Sequence, residues 1–386
     1  MSIVKKVLKG LLYAILFLFA LMNLLLSVGT FYEGVPFFGT CANMITVGMS
    51  QIWLPMVFVL TSICFLLADR WQTHFLRVLG VMSSISFLCG AFIISSSIQA
   101  VNARGGDAHF WNSYGKVSSK DIRKETVRYE DEISDNSFLD VYTVDDGKEG
   151  KPVVLSIHGG GWSSGSRENS APYMKQFAQS GYVAVTAEYD LSSKDEHEVG
   201  TVEKQLSHAM IWIGEHIEEY GGDVKSLYLT GDSAGGNLAL DLAYKIDSGI
   251  FGGNIPKVQA VSVLYPVTDM AGCYFNDHPL WKKTAKEMVF SYMGSSPEAN
   301  PRLYASVSPI HHVTEDAPPT CILVGEKDTV VSPTQSYALA KKLAEYGVDE
   351  KLVRIPYANH LVDMGGTNFA AQAYMRISLD WFASHQ

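Results

Sequence analysis

The sequence predicts an α/β protein in which three transmembrane helices precede a mostly parallel, doubly wound sheet. Three runs at the N-terminal end, 10–32, 45–68 and 78–101, contain no charged residue. Farther along the chain, short β-rich runs alternate with helical runs, the pattern of parallel strands joined by crossover helices. We therefore expect a membrane region over 1–103 and a globular domain over 104–386.

Each uncharged run exceeds the roughly 20 residues that a helix needs to cross the hydrocarbon core. A cleaved signal peptide is the alternative for the first run. Its length, the lack of a small-x-small cleavage pattern and the two further runs argue against that alternative. The runs hold no ionisable residue at mid-depth, where transporters and proton relays usually need one, so they predict an anchor in the lipid bilayer.

The positive charges around these runs predict their orientation. Three lysines lie within the first nine residues, and Arg70 and Arg77 separate the second run from the third. The loop around Glu33 contains neither Lys nor Arg, and Arg104 is the single contrary charge. By the positive-inside rule, the N-terminus of this multi-pass protein is cytoplasmic and the globular domain is extracytoplasmic.

Charge and cysteine spacing exclude several function classes. Residues 1–103 carry a net charge of +3 and the whole chain −10, so the remainder carries −13. Such an acidic domain does not favour nucleic acid as a partner. The five cysteines show no zinc-ligand spacing, and Cys273 and Cys321 are either a disulfide pair in an oxidising compartment or two buried free thiols. His311 and His312 lack nearby carboxylate or cysteine partners, so we expect no metal site.

The region in which strand-like and helical runs alternate predicts the individual strands and helices of the globular domain. Its predicted strands are 126–129, 139–144, 153–157, 182–187, 227–229, 258–264, 321–324 and 351–355. Its predicted helices are 202–220, 237–246, 333–346 and 368–382. The alternation lapses into an aromatic-rich insertion at about 270–308, above the carboxyl edge of the sheet. Ligands bind at that edge, so the insertion is either a lid or pocket wall, or a small core of its own.

A serine lies between a predicted strand and a helix, within Gly231-Asp232-Ser233-Ala234-Gly235. The two glycines have the spacing of a nucleophile elbow, a strained turn too tightly packed for a Cβ atom at those positions. Such a turn exposes the serine Oγ beside a helix N-terminus, whose free N–H groups favour developing negative charge. The spacing therefore predicts that Ser233 is a nucleophile.

A second glycine-rich turn, His158-Gly159-Gly160-Gly161-Trp162, follows the predicted strand 153–157. Three consecutive glycines leave the backbone N–H groups able to approach a ligand closely, as an oxyanion hole requires. Phosphate binding is the alternative for such a turn. The chain has no G-x-G-x-x-G motif and no Walker lysine here, which argues against phosphate.

Together, the two glycine motifs resemble the hormone-sensitive-lipase-like branch of the α/β-hydrolase superfamily, which comprises carboxylesterases and lipases. The resemblance extends over roughly 125–386 and implies an α/β-hydrolase fold that needs no metal or organic cofactor. It also implies that Ser233 is the nucleophile. The backbone N–H groups of Gly160, Gly161 and Ala234 would then form the oxyanion hole.

In this family the acid and then the base follow the nucleophile along the chain. Asp328 follows the strand 321–324, and His360 follows the last strand. His360 would accept the serine proton, while Asp328 would orient its imidazole ring. The alternatives are a helix N-cap for Asp328 and a surface position for His360. Asp269 is the second candidate for the acid, although the similar Asp of the family is usually structural.

The chain departs from the family pattern in two places. Family members often carry Tyr-Arg-Leu-Ala-Pro where this chain has Tyr189-Asp190-Leu191-Ser192-Ser193, so local hydrogen bonding and substrate selection are expected to differ. The membrane region takes the place of an N-terminal helical cap, which leaves the cap role to 104–120 and 270–308. We expect Trp162 and Tyr189 to contact substrate in an apolar pocket.

These observations favour a membrane-anchored serine ester hydrolase with a Ser-His-Asp triad and an acyl-enzyme intermediate. A lipid ester, an acetylated cell-surface glycan and an isoprenylcysteine-type methyl ester all remain possible substrates. One alternative is an exopeptidase or amidase on the same scaffold, with Glu188 as a weak candidate for holding an amino terminus. Another is a catalytically silent hydrolase fold that serves as a binding ectodomain.

Overall fold

Four helices open the chain in the computed structural model, which describes residues 3–32, 36–130, 134–247, 249, 255–364 and 366–386. The helices are α1 (Ile3–Phe31), α2 (Pro36–Asn43), α3 (Ser50–Trp71) and α4 (His74–Asn102). Helices α1, α3 and α4 are long and apolar enough to cross a membrane, by length and composition. Glu33, which contributed to the predicted orientation, lies outside the described residues.

The second apolar run contains a break that its hydropathy does not reveal. Met44–Gly48 forms a single π-helical turn, and Met49 leaves the helical region with φ −110° and ψ 25°. Helix α3 therefore begins at Ser50 rather than at the predicted position 45. Hydropathy measures apolar character and not backbone direction. A hydropathy profile therefore shows one continuous apolar run across the break.

The globular region is built on one sheet of eight strands. They are β1 (Ile122–Arg128), β2 (Phe138–Val144), β3 (Lys151–Ile157), β4 (Val183–Ala187), β5 (Gly222–Asp232), β6 (Ala260–Leu264), β7 (Thr320–Gly325) and β8 (Glu350–Ile355). Their order is β1-β2-β4-β3-β5-β6-β7-β8. The pairs β1–β2 and β2–β4 are antiparallel and the other pairs are parallel. The expected mostly parallel α/β sheet is confirmed.

Strand burial follows position in the sheet. The central strands β4, β6 and β7 are buried along their whole length, because helices cover both of their faces. The edge strand β1 instead contains only half-buried and exposed residues. Within β3, Val153 and Leu155 pack into one core cluster, whereas Val154 packs into the other. The sheet therefore separates two hydrophobic layers.

Eight further helices complete the fold. They are α5 (Ala171–Gln179), α6 (Thr201–His216), α7 (Ser233–Asp247), α8 (Met270–Tyr274), α9 (Lys282–Met293), α10 (Pro301–Ser306), α11 (Pro333–Glu345) and α12 (Phe369–Ala383). Helices α6, α7 and α11 contribute to the first layer. Helices α5 and α12 contribute to the second, which also contains Ile93 and Val101 of α4. Helix α4 thus shares a core with the sheet.

The insertion predicted at 270–308 folds into α8, α9 and α10. Its residues Val289, Tyr292 and Tyr304 are buried in the same cluster as the strands. The alternative of a separate small core is therefore wrong. Phe275 and Phe290 remain exposed on its outer surface.

The ends of the N-terminal helices contact the loops that follow β7 and β8. Ser97 Oγ donates a hydrogen bond of 2.8 Å to the Pro356 carbonyl oxygen. The Asn368 side-chain amide donates one of 3.0 Å to the Gly48 carbonyl oxygen. The ring centroids of Phe31 and Tyr357 are 5.4 Å apart, in an edge-to-face arrangement. These helix ends therefore lie against the carboxyl edge of the sheet.

Candidate active site

Ser233 occupies a sharp turn between β5 and α7. Strand β5 ends at Asp232 and α7 begins at Ser233, which has a φ of 53° in the left-handed region. A Cβ atom at Gly235 would lie 2.1 Å from the Ile157 carbonyl oxygen, so no larger residue fits there. The strained serine and its flanking glycine have the geometry of a nucleophile elbow.

The structure brings Ser233, His360 and Asp328 together. His360 Nε2 lies 2.9 Å from Ser233 Oγ, and its Nδ1 lies 2.7 Å from Asp328 Oδ2. The other carboxylate oxygen of Asp328 accepts two hydrogen bonds of 2.9 Å from the backbone N–H groups of Val330 and Val331. Asp328 is therefore fixed from two sides, with one oxygen left to orient the imidazole ring.

The environment of His360 makes it a stronger base. Burial alone lowers the pKa of this imidazole, since it disfavours the charged form. The charge and hydrogen bond of Asp328 outweigh burial, so the pKa is raised above the ordinary 6.5. The ring also lies against Tyr265, with a centroid separation of 4.4 Å.

Asn359 links the loop of the acid to the loop of the base. Its Oδ1 accepts hydrogen bonds from the Thr329 N–H at 3.1 Å and from the Thr329 hydroxyl at 3.2 Å. The same oxygen accepts the His360 N–H at 2.7 Å. Sequence reasoning did not single out this residue, although its position directly before the base was the available signal.

Asp363 is a second residue that sequence reasoning missed. Its carboxylate accepts hydrogen bonds from the hydroxyls of Tyr173 at 2.5 Å and Tyr265 at 2.6 Å, which fixes the loop after His360. Burial and, next, the nearby charge of Asp363 raise the pKa of Asp232 to about 6. Two carboxylates therefore lie close behind the turn that carries the nucleophile.

The glycine-rich turn after β3 lies next to the nucleophile. Gly160 and Gly161 have φ values of 124° and 60°, which favour glycine. A Cβ atom at Gly160 would lie 1.9 Å from the Ser164 carbonyl oxygen, and one at Gly161 would lie 2.4 Å from Met288 Cε. Met288 of α9, within the insertion, therefore packs against this turn.

A hydrogen bond between the two glycine motifs also fixes the backbone where they meet. The Gly159 N–H donates a hydrogen bond of 3.1 Å to Asp232 Oδ1, which ties the turn after β3 to the elbow. Ala234 is the second residue of α7, so its N–H is among those without a partner inside the helix. The two glycine motifs are thus joined directly beside Ser233.

A buried polar network supports the glycine-rich turn from behind. His158 Nε2 lies 3.3 Å from Glu188 Oε1, and the second Glu188 oxygen accepts a hydrogen bond of 2.9 Å from Arg167. Burial raises the pKa of Glu188, but His158 and Arg167 outweigh it, so the pKa lies below its ordinary value. This carboxylate is already paired and is not positioned to hold the amino terminus of a peptide.

Trp162 and Tyr189, which the sequence predicts to contact substrate, are both buried. Each side chain is only 1% exposed. Trp162 stacks on Tyr292 at 5.1 Å, and Tyr189 stacks on His158 at 4.2 Å while its hydroxyl donates to the His158 carbonyl oxygen at 2.9 Å. Both residues therefore support the glycine-rich turn, and their contact with substrate stays a prediction.

The remaining candidates lie away from the triad or have structural partners. The Asp269 side chain caps α8 by accepting the Gly272 N–H at 3.0 Å, so it is not the acid that contacts His360. Cys273 and Cys321 are both buried free thiols, as one of the two predictions stated. Among the described residues, no group of three His, Cys, Asp or Glu side chains could hold a metal ion.

Comparison with known proteins gives related sequences over the globular region. The BD-FAE family model matches residues 139–343, more than half of the chain. Esterase LipQ of Mycobacterium tuberculosis is 30% identical over 239 residues, which cover 60% of this chain and 55% of LipQ. The probable carboxylic ester hydrolase LipM of the same organism is 28% identical over 237 residues, covering 60% and 53%. The chain thus spans about half the length of these relatives.

Two solved structures share the fold. A truncated carbohydrate esterase from gut microbiota has a TM-score of 0.58 and 19% identity, covering 69% of this chain and 98% of its own. Esterase B from Lactobacillus rhamnosis has a TM-score of 0.57 and 22% identity, covering 76% and 93%. Together with the sheet and the elbow, these likenesses show an α/β-hydrolase fold. The chain is therefore a member of the BD-FAE family.

Proposed function

We propose that this protein is a membrane-anchored serine hydrolase of carboxylic esters. The observation that carries the proposal is the alignment of the triad. His360 lies 2.9 Å from Ser233 Oγ on one side and 2.7 Å from Asp328 on the other. Nucleophile, base and orienting carboxylate thus stand in hydrogen-bond reach of one another, as acyl transfer requires.

In the first half of the reaction, Ser233 Oγ attacks the ester carbonyl carbon while its proton passes to His360 Nε2. Asp328 holds the imidazole ring and stabilises the positive charge that forms on it. The N–H groups of Gly160, Gly161 and Ala234 stabilise the oxyanion of the tetrahedral intermediate. The bond to the alcohol then breaks, and the alcohol leaves with the proton from His360.

In the second half, His360 removes a proton from water, and the resulting hydroxide attacks the acyl group on Ser233. The carboxylic acid leaves as Ser233 recovers its proton. Each step transfers a proton and an acyl group only, so we propose that no metal or organic cofactor takes part. Activity in excess EDTA that equals activity without it is the expected result.

The names of the relatives favour esters over amides. LipQ is named an esterase and LipM a probable carboxylic ester hydrolase. The pairing of Glu188 with Arg167 and His158 leaves that carboxylate engaged, which weighs against an exopeptidase subsite there. The intact triad weighs against a silent binding domain. The ester substrate is a small molecule, a lipid or an acetylated glycan.

We propose that α1, α3 and α4 cross a membrane, on the basis of their length and composition. The lysine-rich N-terminus would then be cytoplasmic. The C-terminal ends of α1 and α4 both lie on the side of the sheet's carboxyl edge. An odd number of spans places that edge, and with it the catalytic domain, on the extracytoplasmic side.

The test uses the full-length protein in detergent and p-nitrophenyl esters from acetate to palmitate. The Ser233→Ala variant should lose about 10⁵- to 10⁶-fold in kcat, as expected when the nucleophile of a triad is removed. A fluorophosphonate probe should label the wild type and not this variant. Ser306→Ala, which changes an exposed hydroxyl on α10, is the matched control.

The proposal fails if folded Ser233→Ala turns over esters as fast as the wild type, or if the probe labels both equally. Orientation is measured separately, by accessibility of single introduced cysteines to a membrane-impermeant thiol reagent. Labelling of a catalytic-domain site from the cytoplasmic side would contradict the proposed orientation.

A further inference from the structure

A cavity of about 280 Å³ lies between the N-terminal helices and the loops that carry the acid and the base. Thr40 and Asn43 of α2 line one side, whereas Asp328, Thr329 and Asn359 line the other. The two sides meet where Thr40 Oγ1 lies 3.4 Å from Thr329 Oγ1. The cavity therefore adjoins the triad from the side of the membrane helices.

Two residues that line this cavity carry buried amide atoms without a protein partner. Asn43 is 4% exposed, and its Oδ1 has no hydrogen-bond partner among the described residues. Asn359 is 1% exposed, and its Nδ2 likewise has none. Buried polar atoms are nearly always paired, so orphans beside a cavity indicate a ligand. One acceptor and one donor together suit hydroxyl groups, which both donate and accept.

The charged groups around the cavity are already engaged, which favours an uncharged ligand. Glu326 pairs with Arg354 at 2.7 Å, and Lys327 also has an interaction partner. Burial lowers the pKa of His278, which favours its neutral form at physiological pH. The carboxylate of Asp328 would also repel an anion, so a phosphate group is disfavoured.

The position of the cavity indicates where such a ligand comes from. Its α2 side lies just after the C-terminal end of α1, one of the three apolar helices. Exposed aromatic side chains cluster there, as is typical of the level of lipid headgroups. They are Phe31, Tyr32, Phe37 and Phe38. If the helices span a bilayer as proposed above, the cavity lies at headgroup depth.

We propose that this junction cavity binds the hydroxyl group of an uncharged, glycerol-type lipid headgroup. The ligand hydroxyl donates a hydrogen bond to Asn43 Oδ1 and accepts one from Asn359 Nδ2. Since Asn359 Oδ1 holds both Thr329 and His360, the lipid would contact the residue that joins the two triad loops. The proposal rests on the proposed membrane insertion, which alkaline carbonate extraction of the full-length protein tests separately.

The test measures lipid binding to the full-length Ser233→Ala protein in detergent by native mass spectrometry, so that turnover plays no part. The probes are 1,2-dioleoylglycerol, dioleoylphosphatidylglycerol and free glycerol. We expect dioleoylglycerol to bind, and Asn43→Leu on this background to weaken binding about tenfold, the effect of losing one ligand hydrogen bond. Gln51→Leu is the matched control, because it removes another unpartnered amide oxygen outside the cavity. It should leave the affinity unchanged.

Three results would overturn the proposal. The first is that dioleoylglycerol binds with equal affinity to the Ser233→Ala protein with and without the Asn43→Leu change. The second is tighter binding of the anionic lipid, which would contradict an uncharged site. The third is competition by free glycerol at millimolar concentration, which would identify a soluble polyol as the ligand. Should Asn43→Leu fail to fold, Thr40→Val changes another residue on the α2 side of the cavity. This variant should also bind dioleoylglycerol about tenfold more weakly.

Discussion

At the scale of single residues, Asp328 sets the basicity of His360. With Asp328 changed to Asn, burial remains and lowers the imidazole pKa, while the opposing charge is gone. We expect kcat to fall by about 10⁴-fold, because the amide also favours the wrong tautomer of the ring. The remaining activity should persist to lower pH than in the wild type, in which Asp328 raises the pKa of His360.

Measured pH profiles of kcat/KM for both proteins check this expectation. Asp269→Asn is the control, since Asp269 only caps α8 and an asparagine can cap equally well. An acid limb that stays in place in Asp328→Asn would mean that another group sets the pKa of His360.

Asp232 makes stability depend on pH. Its pKa is raised from 3.8 to about 6 in the folded protein, so the protonated form is favoured by folding. The resulting stabilisation is fully present below pH 3.8 and is lost as the pH rises through about 6. Asp232→Asn keeps an oxygen for the Gly159 N–H and removes the buried charge. Relative to the wild type, the variant should therefore gain in Tm between pH 5 and pH 8.

Thermal unfolding of both proteins, followed by tryptophan fluorescence at pH 5 and pH 8, provides the measurement. The same Tm difference between wild type and variant at the two pH values would contradict the raised pKa of Asp232.

At the scale of elements, α9 limits the site through Met288. Because Met288 Cε lies 2.4 Å from the position that a Cβ of Gly161 would take, truncating this side chain opens space beside the proposed oxyanion hole. We expect Met288→Ala to move the optimum of the p-nitrophenyl ester series toward longer acyl chains. Glu287→Ala on the exposed face of α9 is the control and should leave the optimum unchanged. An unaltered optimum in Met288→Ala would place the acyl chain elsewhere.

The sequence predicts elements well where a local pattern is sufficient. The central strands are continuous apolar runs, and the elbow and the glycine-rich turn are short motifs, so their positions follow from adjacent residues. Asn359, Asp363 and Met288 gain their partners only through folding, and among them only Asn359 had a local signal, its position next to His360. The burial of Trp162 has the same origin, because its stacking partner Tyr292 lies in the insertion.

At the scale of the whole molecule, the N-terminal helices support the loop that carries His360. Ser97 of α4 is bonded to Pro356, four residues before His360. We expect residues 104–386 alone to lose at least tenfold in kcat/KM, because the loop of the base loses these supports. The comparison uses full-length protein in the same detergent.

A finer version of this comparison uses neighbouring serines of α4. Ser97→Ala removes the bond to Pro356, worth about 1 kcal/mol, whereas Ser96→Ala removes only a hydroxyl that bonds within the helix. Only Ser97→Ala should lower the free energy of unfolding of the catalytic domain. In the earlier comparison with full-length protein, full activity of residues 104–386 would show that the loops with Asp328 and His360 keep their positions without the helices.

The hydrogen bond from Asn368 to Gly48 joins positions 320 residues apart. A ribosome makes the chain from the N-terminus, and early domains fold first. The helices therefore exist long before the loop with His360 emerges and reaches its supports. Nascent protein would then carry Ser233 without His360 for many residues of synthesis, so that hydrolysis begins only after this loop has been made.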